Sequence, residues 1–369
     1  MSYSYVGRLK FMYEMNIVFD NIVYSLQRSG GISVVWQELT SRFLKNQEDD
    51  LLFLEHESDN LNLFRRLLDI PKTNLKILKP LCFVLARYCN PILRISEPFI
   101  FHSSYFRYCR NKYARNVTTV HDFTYEYFYK HKRRGWFLHV WQRNRAIRHS
   151  DAVVCISENT KKDLLKFVKG VNPDKVYVIP NGVSSDYIPI KDEEKIPELK
   201  DWLLYVGGRT SYKNCYKFID FIKDTDYKVV FCGSKLTGEE VDLFNNLLGK
   251  DRYKVYTNIS NCELNRIYNS VMCLVYPSSY EGFGIPVLEA QKAGCPVIAL
   301  NASSIPEVLG ESPLLMEELT KENLLSKLEM LKNISLREYV INNGFINSSK
   351  YSWDNIYISY RELYKRLLL

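Results

Sequence analysis

Two carboxylates eight positions apart, Glu281 and Glu289, lie in a stretch suited to receiving an anion, YPSSYEGFGIPVLEAQKAGCPVIA (276–299). A strand ending at Pro277 gives way to the loop SSYEGFG. A helix over 285–293 follows, opened by Pro286 near its first position and stopped by Gly294. Gly282 and Gly284 let backbone amides approach a ligand closely, and a helix N-terminus favours negative charge. Glu281 falls in the loop and Glu289 about one turn into the helix, so the two can address different parts of one ligand. A glycine turn with two surface glutamates has the same spacing. A second stretch, WLLYVGGRTSYKN (202–214), ends a strand in Gly207-Gly208 and sets Arg209 and Lys213 directly beyond it. Side chains at the carboxyl end of a parallel strand point into the ligand crevice. Arg offers phosphate oxygens a planar fork and Lys a mobile point charge. Such a pair suits a departing diphosphate, whose charge grows in the transition state; the bland alternative is two solvated surface charges.

The N-terminal half holds further candidates. His102 and Tyr105 in FIFHSSY, and His121 in TVHDFTYE, follow or end predicted strands, which places both histidines at the rim of a cleft. Helix capping or packing is the alternative for His102. Gly30-Gly31 in RSGGIS (28–33) precedes a helix; alone it reads as a plain turn, and no G-x-G-x-x-G fingerprint follows the strand. The best metal candidate, Asp224-Thr225-Asp226, precedes a strand and so lies at the wrong end of a parallel sheet. Solvated turn residues are expected there, and no metal requirement is predicted.

These residues need a scaffold. Short apolar runs such as NIVFD (16–20), DLLFLE (50–55), AVVCIS (152–157), YKVVFCG (227–233) and CPVIAL (295–300) alternate with amphipathic stretches such as 32–46, 159–170 and 262–272. Near-continuous apolar strands separated by helices imply parallel sheets covered on both faces, an α/β fold. After Asn181-Gly182 the polar, Pro-interrupted segment SSDYIPIKDEEKIPELK reads as a linker, and a new strand opens at Trp202. The expected arrangement is two Rossmann-like, doubly wound domains facing each other across a cleft, 1–184 and 185–351. The amphipathic C-terminal helix 352–369 is expected to pack back on the first.

CISENTKKDL (155–164), VIPNGV (178–183), the G-G-R-x3-K-N block and the Glu-x7-Glu block, in this order along the chain, resemble retaining glycosyltransferases of family 4, which have the GT-B fold. The resemblance runs from about Asn16 to the C-terminus and is strongest over 150–310. It implies that the C-terminal domain holds a nucleotide-diphospho-sugar, GDP- or UDP-linked, and the N-terminal domain the acceptor. Glu289 would bond the ribose hydroxyls. Glu281, with backbone amides of Gly282, Phe283 and Gly284, would contact the sugar and its phosphate, and Arg209 and Lys213 would neutralise the diphosphate. The Arg-to-Lys spacing is one shorter than the commoner form, which resembles a subgroup of polysaccharide-assembly enzymes. The resemblance also makes His121 a donor-sugar histidine, Gly30 and Gly31 a phosphate-facing loop, Ser157 and Asn181 donor-side residues, and His102 and Tyr105 acceptor-side candidates. A front-face, retaining substitution without metal or other cofactor is implied, with a glycan or polyisoprenoid-diphosphate-linked acceptor and mannose as the favoured sugar. An epimerase, a phosphorylase and a non-catalytic sugar-binding protein are the alternatives.

Composition agrees with a globular chain: 46% hydrophobic and 25% charged among 369 residues, with a net charge of +8. The charge is uneven, since Lys79–Arg148 holds 14 basic residues against three acidic ones, a surplus of +11. Within it KHKRRGWFLHVWQRNRAIR (130–148) alternates cations with Trp136, Phe137 and Trp141, as expected of an anionic membrane surface site or a solvated helix, with nucleic acid a weaker rival. Nine scattered cysteines without metal-site spacing suggest reduced, buried thiols. No signal peptide or continuous membrane span is visible, residues 1–14 read as a loose extension, and a cytoplasmic protein, peripheral at the inner membrane face, is expected.

Overall fold

The computed structural model describes residues 14–56, 61–79, 86–129 and 135–369. The expected extension up to residue 13 and the stretch Lys130–Arg134 of the basic segment lie outside the described residues. Two units emerge, one comprising the chain to Asn181 with Trp353–Leu369, the other Gly182–Ser352.

The first unit holds a seven-stranded sheet: β1 (Asn16–Asp20), β2 (Asp50–Glu55), β3 (Leu75–Ile77), β4 (Phe99–Ser103), β5 (Ala114–Val120), β6 (Ala152–Cys155) and β7 (Val176–Val178). Their order is β3-β2-β1-β4-β5-β6-β7, every neighbouring pair parallel. The second unit repeats the plan with β8 (Trp202–Val206), β9 (Lys228–Cys232), β10 (Tyr253–Tyr256), β11 (Cys273–Tyr276), β12 (Val297–Leu300) and β13 (Leu315–Met316), ordered β10-β9-β8-β11-β12-β13 and again parallel throughout. Both are doubly wound α/β sheets. In each, chain order reverses once, between β1 and β4 and between β8 and β11, and there the strand ends splay to leave a crevice.

The central strands form because both faces are covered: every residue of β4, β6, β11 and β12 is buried. Around β8 and β9 the core gathers Phe218, Phe231, Phe244, Ile219 and Ile222, each contributing roughly 1.5–3 kcal/mol by leaving water. Helix starts are set by side-chain caps. Thr237 and Ser260 open capping boxes with Glu240 and Glu263, and Pro286 opens the helix Ile285–Ala293, which Gly294 ends in the left-handed region.

The helix Trp353–Leu368 packs on the helix Gly31–Asn46 through edge-on contact of Tyr357 with Phe43 and stacking of Tyr364 on Phe43. Arg361 pairs with Glu48 and Asp49, and Arg42 with Asp354 at 2.6 Å. The eight described cysteines are free, six of them buried.

Candidate active site

In the second unit, Gly207 follows β8 with φ +128°, where a side chain would be strained. Gly233, after β9, sits so near that a Cβ there would lie 2.6 Å from the Gly207 carbonyl oxygen. The chain then enters a single 3-10 turn, Ser211–Lys213, closed by Asn214 in the left-handed region. The Asn214 amide donates to Pro277 O at 2.9 Å and Ser279 Oγ at 2.6 Å, while Ser279 N donates to Tyr212 O at 2.7 Å. The loops after β8 and β11 are thereby stitched together across the reversal point. The result is an ion pair, Lys213 Nζ to Glu281 Oε1 at 2.9 Å, with Lys213 also facing Gly207.

Glu281 is held from a third strand end. Its backbone N–H donates to Ser303 Oγ at 2.8 Å, and Ser304 Oγ donates to the carbonyls of Glu281 and Phe283. Phe283 is buried edge-on against Tyr351, which fixes the loop, and Gly284 at φ +111° turns it into the helix Ile285–Ala293. Glu289, on that helix, is partly exposed and receives the Tyr268 hydroxyl at 3.1 Å. Burial raises its carboxyl to about 7, against the pull of the Tyr268 and Tyr187 hydroxyls. The phenol of Tyr276 is pushed up by burial and then by the charges of Glu281 and Glu289.

Arg209 departs from the expected free fork. Its guanidinium meets Glu240 in two bonds, Nε to Oε1 at 2.7 Å and Nη2 to Oε2 at 3.0 Å, and donates to the carbonyls of Ser234 and Lys235. Lys213 and Glu281 meet directly, Glu289 lies further along the helix that follows Glu281, and Arg209 is engaged with Glu240 instead. Asp224 is exposed and pairs with Lys321 at 3.1 Å, before β9 and away from the strand carboxyl ends; among the described residues no cluster of three metal-ligating side chains occurs.

The first unit corrects two expectations. His102 is not at a rim but fully buried, bonded to the Tyr364 hydroxyl and, at 2.9 Å, to Thr119 Oγ1, and burial drives its imidazole down to about 3. It anchors the C-terminal helix, and both ring nitrogens are engaged within the protein. Ser157 is fully buried too, capping the helix Glu158–Phe167 by accepting from Thr160 N at 2.9 Å while donating to Thr160 Oγ1 at 2.9 Å. Tyr105 is half-buried, its hydroxyl held by Arg87 at 2.8 Å and His139 at 3.0 Å. Asn181 is buried at the unit boundary. His121 remains partly exposed and lines a small cavity with Ile32, Trp36, Ser104 and Tyr360; burial lowers its imidazole to about 4, so it is neutral. Gly30 precedes the helix Gly31–Asn46, and Gly31 has open space where a Cβ would stand.

Of the basic segment, Arg107 and Arg143 are internal struts, buried against Asp20 and Glu126. The helix Trp136–His149 turns Phe137, Leu138, Trp141 and Arg148 outward. Among the described residues no helix is long and apolar enough to cross a membrane.

Comparison with known proteins decides the family. The profile "Glycosyltransferase Family 4" matches residues 29–187, and "Glycosyl transferases group 1" matches residues 186–345. The chain belongs to glycosyltransferase family 4. It is 27% identical over 299 residues to O-antigen chain mannosyltransferase B of Escherichia coli, covering 74% of this chain and 76% of that protein. It is 29% identical over 205 residues to O-antigen chain mannosyltransferase RfbU of Salmonella typhimurium, covering 53% of this chain and 55% of that one. In fold it is similar to sucrose-phosphate synthase of Thermosynechococcus elongatus, with TM-score 0.71 at 16% identity, covering 96% and 99% of the two chains. It is also similar to Anabaena HepE, solved with UDP and glucose, with TM-score 0.69 at 15% identity, covering 95% and 99%. The family 4 glycosyltransferase thus has the GT-B fold and acts in the chemistry of nucleotide-sugar donors and glycan acceptors. Sequence reasoning included Asn214 in a motif without its loop-joining role, and missed Ser303 and Ser304, which carry no charge, and Tyr187, buried although it lies in the polar linker.

Proposed function

We propose that this glycosyltransferase transfers a hexose from a nucleotide-diphospho-sugar to a glycan or polyisoprenoid-diphosphate-linked acceptor, with retention and without a metal ion. The observation that carries this is the Lys213–Glu281 pair, seated where chain order reverses and beside the N-terminus of the helix Ile285–Ala293. That spot offers a cation and helix amides to a diphosphate and a carboxylate to the attached sugar. Glu289, further along that helix, suits the ribose hydroxyls.

In the proposed step the bond between the anomeric carbon and the β-phosphate oxygen breaks. Lys213 and the helix N-terminus stabilise the diphosphate as its charge grows. The acceptor oxygen bonds to the same face of the anomeric carbon, and its proton passes to the departing phosphate oxygen. Atoms and charge balance with no further reactant. GDP-mannose is the favoured donor, in keeping with the two O-antigen mannosyltransferases it resembles. The outward Phe137, Leu138, Trp141 and Arg148 suit an anionic membrane surface at the inner, cytoplasmic face, where a lipid-linked acceptor would be presented.

A thermal-shift screen with UDP-, GDP- and dTDP-sugars, followed by donor turnover with and without a chelator, tests the reading. Stabilisation by one nucleotide family, chelator-resistant release of its diphosphate, and an axial or equatorial product matching the donor's anomer are expected. Binding without turnover in the presence of acceptor would favour a sugar-binding protein, and isomerised nucleotide-sugar an epimerase.

A further inference from the structure

Resting on that reading of the site, we propose that Glu240 is a positioning residue for diphosphate binding and that Arg209 acts through it rather than by touching the ligand. Four hydrogen bonds converge on the Glu240 carboxylate: two from Arg209, one from the Tyr216 hydroxyl at 2.6 Å and one from Thr237 N at 2.8 Å. That fills the acceptor capacity of a carboxylate. The Arg209 bonds pull the carboxyl down to about 2, so it stays ionised at any working pH. The pair is shielded, with side-chain exposures of 7% for Arg209 and 14% for Glu240. A guanidinium so held has most of its donors committed inside the protein. Swinging it onto a phosphate would leave Glu240 charged, shielded and without its fork.

What the fork does is join three segments. Arg209 belongs to the loop after β8, its carbonyl partners Ser234 and Lys235 to the loop after β9, and Glu240 to the first turn of the helix Gly238–Leu248. Tyr216, from the helix Cys215–Ile222, adds a fourth. Gly207, which Lys213 faces, lies two residues before Arg209 in the same loop. The clamp therefore sets where the loop after β8 lies, and with it where the Lys213 ammonium stands relative to Glu281. Lys213 remains the cation directed at the diphosphate. A single planar fork explains why arginine occupies position 209, since lysine has no second donor in the plane.

The test compares Arg209→Lys, Glu240→Gln, their double variant and Thr237→Ala, each purified as the full chain. Thr237→Ala removes the reciprocal half of the capping box, Glu240 N to Thr237 Oγ1 at 3.2 Å, and leaves the fork in place. Donor turnover and the affinity for UDP and GDP are measured. Loop misplacement predicts a loss of roughly 10- to 100-fold in kcat/KM and a matching loss of nucleotide affinity for each fork variant. The double variant should be no worse than the poorer single, and Thr237→Ala should stay within about twofold. If Glu240→Gln keeps near-normal turnover while Arg209→Lys is lost, Arg209 touches the ligand and the proposal is overturned. If Thr237→Ala falls as far as Glu240→Gln, Glu240 is only a helix cap and the proposal is equally overturned. Wild-type turnover is the control for the glycosyltransferase reading. Should the wild type bind and turn over no nucleotide-sugar, that reading fails, and urea-melt cycles on the same four variants still judge the clamp, non-additive losses supporting it and additive ones refuting it.

Discussion

Replacing Glu289 by glutamine removes the one acid in the crevice whose proton is held near neutrality. Burial lifts its carboxyl from an ordinary 4.5 to about 7. Between those values the folded chain binds a proton that the unfolded chain releases, so stability falls as pH rises. The contribution is complete below about 4.5 and lost as pH climbs through about 7. A rise of about 2.5 units at ~1.36 kcal/mol each sets a ceiling near 3 kcal/mol, and partial exposure trims it to about 2 kcal/mol. Glutamine cannot ionise. Glu289→Gln should therefore match the wild type in urea denaturation at pH 5 and exceed it by about 2 kcal/mol at pH 8. Ribose hydroxyls would donate to the charged carboxylate, so nucleoside diphosphate affinity in the wild type should rise up to about tenfold per pH unit from 6 towards 7 and then level off. Glu289→Gln should bind more weakly and without that slope. Calorimetry in two buffers of different ionisation enthalpy reads the released proton. Identical pH slopes in the two proteins, or no proton released on binding, would refute the reasoning.

Lys213→Ala should lower donor turnover by about 10²- to 10³-fold with the circular dichroism spectrum unchanged, the usual loss when a charge aimed at a developing anion is removed. Gly233→Ala must push the Gly207 carbonyl aside, because its Cβ would sit 2.6 Å from that oxygen, so nucleotide affinity and melting temperature should both drop. Tyr364→Phe deletes the hydroxyl bonded to buried His102 and should cost about 1 kcal/mol in urea denaturation, without changing nucleotide affinity. Asp224→Asn with Asp226→Asn should leave turnover and its resistance to chelator unchanged.

Much of the scaffold was legible because the central strands carry their own signal. NIVFD and DLLFLE coincide with β1 and β2, and Pro286 and Gly294 bracket a helix at the boundaries expected of it. β3 and β13 escaped notice. They are edge strands of three and two residues, too short for any period to register. In the site, charge and glycine pointed to Lys213 and Glu281, which the fold pairs at 2.9 Å, and to Glu289 on the helix that follows. Arg209 was readable as a cation at a strand end but not as a clamp, since its partner Glu240 lies 31 positions on in a helix whose capping role hides it. His102 misled for a related reason. A histidine closing a strand looks the same in sequence whether it faces solvent or a tyrosine 262 positions away. A buried hydroxyl strut such as Ser304 has no one-dimensional signature, and the block that contains Asn214 does not reveal which loop its amide grips; only the meeting of distant loops gives them meaning.

The central claim is that the Lys213–Glu281 pair receives the diphosphate and sugar of one donor. Isothermal titration of the wild type, Lys213→Ala and Glu281→Ala with a nucleoside diphosphate and its sugar conjugate tests it most directly. The account predicts that Lys213→Ala weakens both ligands alike, whereas Glu281→Ala abolishes only the extra affinity conferred by the sugar. Unchanged binding of both ligands in both variants would contradict it.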